Sequence, residues 1–305
     1  MLVVGAAGID LVGRLQSELH TGTSSPAKIR SSFGGVARNV AENLARLGTP
    51  VCLLTAVGND DAGERILKQA AEAGVDTQHV LCCQEQATGT YLAVVNHKGE
   101  LSFALDDMRV IRSITPEYLR ENESSFREAS LLFVDMNLEA KSLRTAMSLA
   151  RRFNLPVFSD PTSSGLAQRM LPYLDRLYFI TPNSSEAAVL CNMRIGPQDR
   201  EQARLAASYL VSKGVEIVVL TQAEFGLYYA TTDESGYIPA ISTEIADPTG
   251  AGDALTAAVI FGLLNDIPLD ESMRLGVAAA SLTLRFSGAV RPDLSLEKLY
   301  DHLVI

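Results

Sequence analysis

The sequence predicts an α/β domain in three layers, a mostly parallel central sheet with helices on both faces, carrying a small β-sheet lid. Three observations predict it. From Leu131 onward, short apolar runs alternate with amphipathic stretches, the rhythm of a parallel sheet covered on both faces. Residues 88–96 and 101–106 break that rhythm. They flank His97-Lys98-Gly99-Glu100, a hairpin pattern with a glycine-containing turn, and so form a separate antiparallel layer. Finally, the 305 residues are 47% apolar and 20% charged, enough to bury one large core.

The elements follow in order. Residues 2–4 are a short apolar strand ending at Gly5, leading into a loop with Asp10. The polar stretch 11–33, with Pro26, is expected as exposed loop and short strand. Residues 35–48 form a helix: Val36, Val40, Leu44 and Leu47 share its apolar face, Arg38, Glu42 and Arg46 the opposite one, and Gly48 stops it. A strand over 51–57 and a helix over 61–73 come next. In the regular part, strands at 131–134, 156–159, 177–180 and 217–220 are separated by helices at 138–153, from 184 through Cys191, and at 199–213. Residues 227–229 and 236–241 read as edge strands, and helices at 250–264, 269–285 and 294–303 close the chain. No repeat or long linker interrupts it, so 1–305 reads as a single domain with lid segments at 11–33 and 84–110.

Composition excludes several classes. A net charge of −10 argues against a nucleic-acid polymer as partner. The four cysteines (Cys52, Cys82, Cys83, Cys191) form no Cys-x-x-Cys pair and have no nearby histidine at metal-ligand spacing. The N-terminus lacks a basic signal region, and the longest apolar run, 254–264, is too short to span a bilayer. A soluble cytoplasmic protein without a membrane partner is expected.

Three constellations carry chemistry. In Asp247-Pro248-Thr249-Gly250-Ala251-Gly252-Asp253, small residues open a helix whose free N–H groups and positive dipole end suit a phosphoryl group. Asp253 in its first turn is expected to stay ionised at neutral pH, favoured by the helix N-terminus, and could accept a hydroxyl proton. A glycine-rich turn before an acidic helix start is the plainer reading. In Gly34-Gly35-Val36-Ala37-Arg38-Asn39, two glycines again open a helix, and Asn39 and Asn43 border its buried stripe, where an amide needs partners. A sugar hydroxyl suits Asn39; a cap on neighbouring backbone suits Asn43. Asn183-Ser184-Ser185-Glu186 follows a strand end, where Glu186 could hold Mg²⁺ through water or simply complete a capping box. Asp10 could accept from two adjacent hydroxyls or be merely solvated.

Together these segments, in this order, resemble the ribokinase (PfkB-type) carbohydrate kinase family over essentially the whole chain. Residues 34–39 are similar to its first signature, 247–253 to its second, and Asn183-Ser184-Ser185-Glu186 to its Asn-x-x-Glu motif. Within the family, Ser25-Pro26-Ala27-Lys28-Ile29, Asp107-Met108, Ile114-Thr115-Pro116-Glu117-Tyr118-Leu119 and Val134-Asp135-Met136-Asn137 are similar to the pseudouridine kinases. The resemblance implies a ribokinase-like fold whose lid closes over the sugar, and transfer of the γ-phosphoryl of ATP to the ribose 5′-hydroxyl of pseudouridine. It implies Asp253 as catalytic base and the backbone of Gly250, Ala251 and Gly252 as anion hole. Asp10, Gly35, Asn39, Asn137 and Asp107 then belong to the substrate, and Asn183, Glu186, Thr221, Gly226, Thr249 and Gly288 to ATP–Mg²⁺. Asp247 and Ser287 border a loop that in the family often holds a monovalent cation such as K⁺.

The sequence also departs from the family. Gly8 stands where an asparagine is common, and Ala223 stands where a glycine would ease positive φ. Asp106 adds a carboxylate to the lid, which would prefer N–H donors of a base. Another ribokinase-family kinase of ribose, fructose or a purine or pyrimidine nucleoside is the alternative, and a non-catalytic sugar- or nucleotide-binding protein the remote one. The exposed edges of a β lid could be covered by the lid of a second copy, giving a homodimer.

Overall fold

The computed structural model describes residues 1–20, 22–98, 101–196 and 198–303. In chain order the first half comprises β1 (Leu2–Val4), β2 (Gly8–Leu15), β3 (Ala27–Gly34), α1 (Val36–Arg46), β4 (Val51–Leu54), β5 (Ala56–Gly58), α2 (Asp61–Glu72), β6 (Val75–Asp76), β7 (Leu81–Cys83), β8 (Gly89–Val95), β9 (Leu101–Asp107), α3 (Pro116–Glu121) and α4 (Glu123–Glu128). The second half comprises β10 (Leu132–Asp135), α5 (Ala140–Arg152), β11 (Val157–Asp160), β12 (Phe179–Ile180), α6 (Ser184–Cys191), α7 (Arg200–Ser212), β13 (Ile217–Thr221), β14 (Leu227–Ala230), β15 (Ser235–Ile238), α8 (Ala251–Leu264), α9 (Leu269–Leu284) and α10 (Leu296–Leu303).

Nine strands form the main sheet in the order β15-β14-β13-β12-β11-β10-β1-β4-β6. Pairing is parallel from β6 to β13 and antiparallel at β14 and β15. The parallel strands are buried on both sides, which explains their unbroken apolar runs. On β1, Leu2 and Val4 point into a core with α3, α5, α6 and α7, while Val3 points into the core with α1, α8, α9 and α10. Chain order reverses at β1, whose neighbours are β4 and β10, and ligands of open α/β sheets bind beyond the strand carboxyl ends at such a point. Asp135 and Asp160 are the last residues of β10 and β11.

The lid is a second sheet in the order β3-β2-β8-β9. Here the structure corrects the sequence reading: 8–15 and 27–34 are full eight-residue strands, and Asp10 lies in β2, not in a loop. The polar, serine-rich composition disguised strands that are buried mainly at the lid root, with 28–31 exposed on both faces of β3. The turn expected at Gly99-Glu100 lies outside the described residues. The strand expected over 51–57 is two strands in different sheets, β4 in the main sheet and β5 paired with β7. A continuous apolar run carries no period to mark that change of partner. Of the two expected edge strands, β14 is internal and β15 forms the edge. The helices α3 and α4 were not foreseen, although Thr115 caps the first and Pro116 opens it.

The charged face of α1 is covered: Arg38 and Glu42 are buried and ion-paired with one another, and Arg46 pairs with Glu42 at 2.6 Å. The lid root covers this face, with Phe33 stacked on the Arg38 guanidinium.

Candidate active site

The site is assembled where α1, α8, the lid root and the ends of β1, β10 and β11 converge. At the start of α1, Gly35 has φ 92°, and a Cβ there would overlap the backbone of Ala6 and Ala7. A Cβ on Gly34 would overlap the Asp10 carboxylate, so glycine lets this acid lie against the helix start. Asp135 is fully buried beneath it. Its Oδ2 accepts from Ala6 N (2.8 Å) and Ala37 N (3.1 Å), and its Oδ1 from Asn137 N (2.9 Å). One carboxylate therefore ties the exit of β1, the first turn of α1 and the Asn137 turn together. Sequence reasoning quoted Asp135 without giving it a role; an acid ending two successive parallel strands was the available signal.

Asn39 joins the two signature helices. Its Nδ2 donates to Asp253 Oδ2 at 2.7 Å across 214 residues of sequence, and its Oδ1 accepts from Arg38 Nη1 at 2.9 Å. Asn43 instead caps backbone, donating to Asn39 O at 2.9 Å. Asp253 sits in the first turn of α8. Burial pushes its carboxyl up to about 7, with the Asp10 and Asp135 charges adding to the rise and the Asn39 hydrogen bond and Arg38 opposing it. This overturns the expectation that Asp253 is held fully ionised at pH 7. The helix N-terminus is worth roughly 1 kcal/mol to a carboxylate, less than desolvation among other acids. Asp10 is 8% exposed, has no hydrogen-bond partner among the described residues, and is pushed up to about 6, chiefly by burial.

The helix start beside Asp253 is open. A Cβ on Gly252 would meet nothing within 4 Å and Gly252 is exposed, so this side of the first turn of α8 is open, and the N–H groups of that turn have no acceptor within the helix. Gly250 has φ 77°, and a Cβ there would overlap Ala289 O, which packs the 286–290 loop against the helix start. Asp247 is buried and accepts from Thr249 N at 3.0 Å, shaping the turn into α8. Ser287 Oγ receives a hydrogen bond from Arg30 Nη1 of the lid at 2.9 Å, and its neighbour Gly288 has φ 140°.

Across the sheet, Asn183 and Glu186 form a complete capping box at the start of α6: Asn183 Oδ1 accepts from Ser185 N (2.9 Å) and Glu186 N (3.0 Å), and Glu186 Oε2 from Asn183 N (2.9 Å). Glu186 is buried and raised by that burial, leaving Oε1 for another partner. Thr221 ends β13 and bridges to Asn183, and its N–H donates to Pro182 O at 2.9 Å. Asp160, absent from the sequence-derived set, accepts from Thr162 N (2.7 Å) and Thr181 Oγ1 (3.1 Å). Its carboxyl is raised well above the usual range by burial, then by the charges of Glu186 and Asp253.

One residue of the set stands apart. Strand register sets Thr90 between Ile9 and Asp107, so Asp107 occupies the lid face opposite Asp10, where it is bound in two hydrogen bonds to Arg109. Asp106 instead registers with Tyr91 and, through it, with Asp10 on the inner face. An acidic doublet gives no sign of which member faces inward; the register decides.

A carboxylate in the first turn of a helix, an acid whose side chain has no hydrogen-bond partner among the described residues, and acids at the neighbouring strand ends converge here, an arrangement suited to phosphoryl transfer. Residues 1–295 match the family described as pfkB family carbohydrate kinase. The chain belongs to that family. Pseudouridine kinase of Escherichia coli (strain K12) is 32% identical to it over 297 residues, 97% of this chain and 94% of the relative. Guanosine-inosine kinase of Exiguobacterium acetylicum is 27% identical over 281 residues, 92% of each. Arabidopsis thaliana ribokinase, solved with ribose and ATP, superposes with a TM-score of 0.85 at 22% identity, covering 100% of this chain and 98% of that one; this likeness establishes the fold.

As a PfkB kinase the chain is an ATP-dependent phosphotransferase acting on an alcohol group of a sugar or nucleoside. No helix among the described residues is long and apolar enough to cross a membrane. Nor does any cluster of three or more His, Cys, Asp or Glu side chains among them form a metal cage. Glu186 and Asp160 present carboxylate oxygens whose mutual repulsion a divalent charge would relieve, a donor set that fits a cation held partly by water and phosphate oxygens. The kinase also carries local strain just after β13. Ala223 sits at φ 49°, in the left-handed region, which costs a non-glycine residue roughly 1–2 kcal/mol. Ala223→Gly is expected to raise stability by up to about 1 kcal/mol, the gain being limited by the entropy of an unfolded glycine. Urea denaturation checks it.

Proposed function

We propose that this kinase transfers the γ-phosphoryl of ATP to the ribose 5′-hydroxyl of pseudouridine, giving pseudouridine 5′-phosphate. The observation that carries the reading is the Asn39–Asp253 hydrogen bond, which sets a carboxylate at the open N-terminus of α8 beside the acceptor-side acid Asp10. In this reading Asp10 accepts from the ribose diol, with Gly35, Asn39 and Asn137 completing the sugar contacts. Asp253 removes the 5′-hydroxyl proton as the oxygen attacks the γ-phosphorus. The N–H groups of Gly250, Ala251 and Gly252 receive the charge that develops on the phosphoryl oxygens. Asn183, Thr221, Gly226, Thr249 and Gly288 line the ATP side. Glu186 and Asp160 would help to hold Mg²⁺, which when bound would neutralise phosphate charge. Asp247 and the Ser287 loop are the candidate K⁺ position.

Incubation with ATP, Mg²⁺ and pseudouridine, beside ribose, fructose, adenosine and cytidine, tests this reading. Pseudouridine is expected to have the highest kcat/KM, and no 5′-phosphate at millimolar pseudouridine would sink it. A kinase of another nucleoside is the second reading, favoured by Asp106: an acid on the inner lid face accepts N–H donors that many bases carry.

Asp253 must be ionised to act as base, and its carboxyl lies at about 7. The kcat/KM profile is therefore expected to fall as pH drops through 7, and more steeply near 6, where Asp10 also takes up a proton. A flat profile between pH 6 and 8 would contradict the assignment.

We also propose a homodimer through the lid. Its outer face carries Leu11, Ile29, Leu92, Val94, Phe103 and Leu105, with Ile29 73% and Leu105 62% exposed, and both edge strands lie open. Sedimentation velocity is expected to find a dimer that the double substitution Ile29→Asp/Leu105→Asp splits; a monomer before substitution would refute it.

A further inference from the structure

Arg38 has no part in the scheme above, yet it is one of the largest fully buried side chains, 1% exposed. Its partner Glu42 is 0% exposed and also accepts from Arg46 Nη2 (2.6 Å), Arg46 Nε (3.1 Å) and Gln69 Nε2 (3.3 Å). A buried ion pair adds little net stability over apolar packing, so packing alone does not account for one here. What distinguishes Arg38 is its other contact. Nη1 is shared between Phe33 O (3.2 Å) at the lid root and Asn39 Oδ1 (2.9 Å).

A guanidinium has only N–H donors. The Asn39 atom facing it must therefore be the carbonyl oxygen, and the amide nitrogen is left facing Asp253 Oδ2 at 2.7 Å. The reversed amide would set an oxygen against the carboxylate and N–H groups against the guanidinium, two repulsive contacts in place of two hydrogen bonds. Neither Asn39 nor Asp253 enforces this choice, because an amide can offer either end and a protonated carboxyl can donate as well as accept. We propose that Arg38 is a positioning residue for the base, holding the Asn39 amide in the one orientation that donates to Asp253.

The consequence is electrostatic. Asp253 feels the charges of Asp10 from β2 and Asp135 from β10, and that of Asp160 from β11 while no Mg²⁺ is bound there, against the guanidinium of Arg38 on α1. Arg38 opposes their repulsion by its charge and by the donor it aims. Without it, Asn39 loses its fixed orientation, and the ionised form of Asp253 loses both sources of support.

The test is the pH dependence of kcat/KM in two variants. Arg38→Gln removes the charge and the donor-only constraint. Arg38→Met/Glu42→Gln removes both charges of the pair while the new amide oxygen can still accept from Arg46. In each, the acid limb is expected to move up by about one pH unit, a roughly tenfold extra loss below the limb, with most activity kept at pH 9. Arg38→Lys keeps a donor-only cation and is expected to return part of the shift. A variant with a native thermal midpoint and an unmoved acid limb overturns the proposal, as does an equal loss at every pH. The proposal rests on Asp253 as base: if Asp253→Asn keeps full activity, that reading fails first. If Asp253→Asn is inactive and the Arg38 variants show no shift, only this inference fails.

Discussion

Asp253→Asn is expected to fold normally, bind both substrates and lose about 10³-fold in kcat, the usual contribution of a positioned general base. The substitution is nearly isosteric, and the new amide can offer its oxygen to Asn39 Nδ2, so the contact between α1 and α8 survives. It lacks only the capacity to take a proton. The N–H groups of α8 remain, so ATP affinity changes little and residual transfer rests on positioning and the anion hole. The acid limb near pH 7 also disappears, because the group that titrates there has gone. Single-turnover kinetics from pH 6 to 9 measure both effects. A kcat within tenfold of the unsubstituted enzyme, or a surviving limb near pH 7, would show that another group removes the proton.

Asp135→Ala carries the largest expected loss of stability, about 3 kcal/mol or more, since each buried N–H left unpaired costs about 1–3 kcal/mol. The amides of Ala6, Ala37 and Asn137 all lose their acceptor. The three belong to the β1 exit, the first turn of α1 and the turn after β10, so the damage falls on the frame that carries Asn39. Activity is expected to fall with stability, even though Asp135 takes no part in the transfer itself. Asp135→Asn keeps an oxygen for two of the donors but turns N–H groups toward the third, and a smaller loss follows. Urea titration measures both; an unchanged midpoint for the alanine variant would mean that water or a backbone shift replaces the carboxylate.

The comparison of these two acids shows what could be read before folding. Asp253 was legible because its neighbours in sequence make its environment: three small residues before it, an apolar helix after it, and a spacing that sets it in the first turn. Gly35 and Asn39 stood out for similar local reasons, and the capping box of Asn183 and Glu186 is local by construction, whereas Asp10 was expected in a loop and lies in β2. Asp135 and Asp160 were not legible, because their one shared signal, an acid ending each of two successive strands, does not show which donors and charges they meet. Their importance comes from donors and charges that arrive from other strands and from α1, α6 and α8.

Hydrophobic period and helix punctuation are short-range properties, so the three-layer class, the parallel rhythm from Leu131, the helices at α1 and α8, and the order of the signatures were determined by the sequence itself. Protonation, facing and partnership are long-range, and tertiary structure alone decided them. Burial among other acids, unseen along the chain, raises Asp253 where its own helix would lower it. Strand register turns Asp106 inward and Asp107 outward. And the covering of α1 by the lid root buries Arg38, a charge on the helix face opposite the apolar stripe, where it touches the hydrogen-bond partner of Asp253.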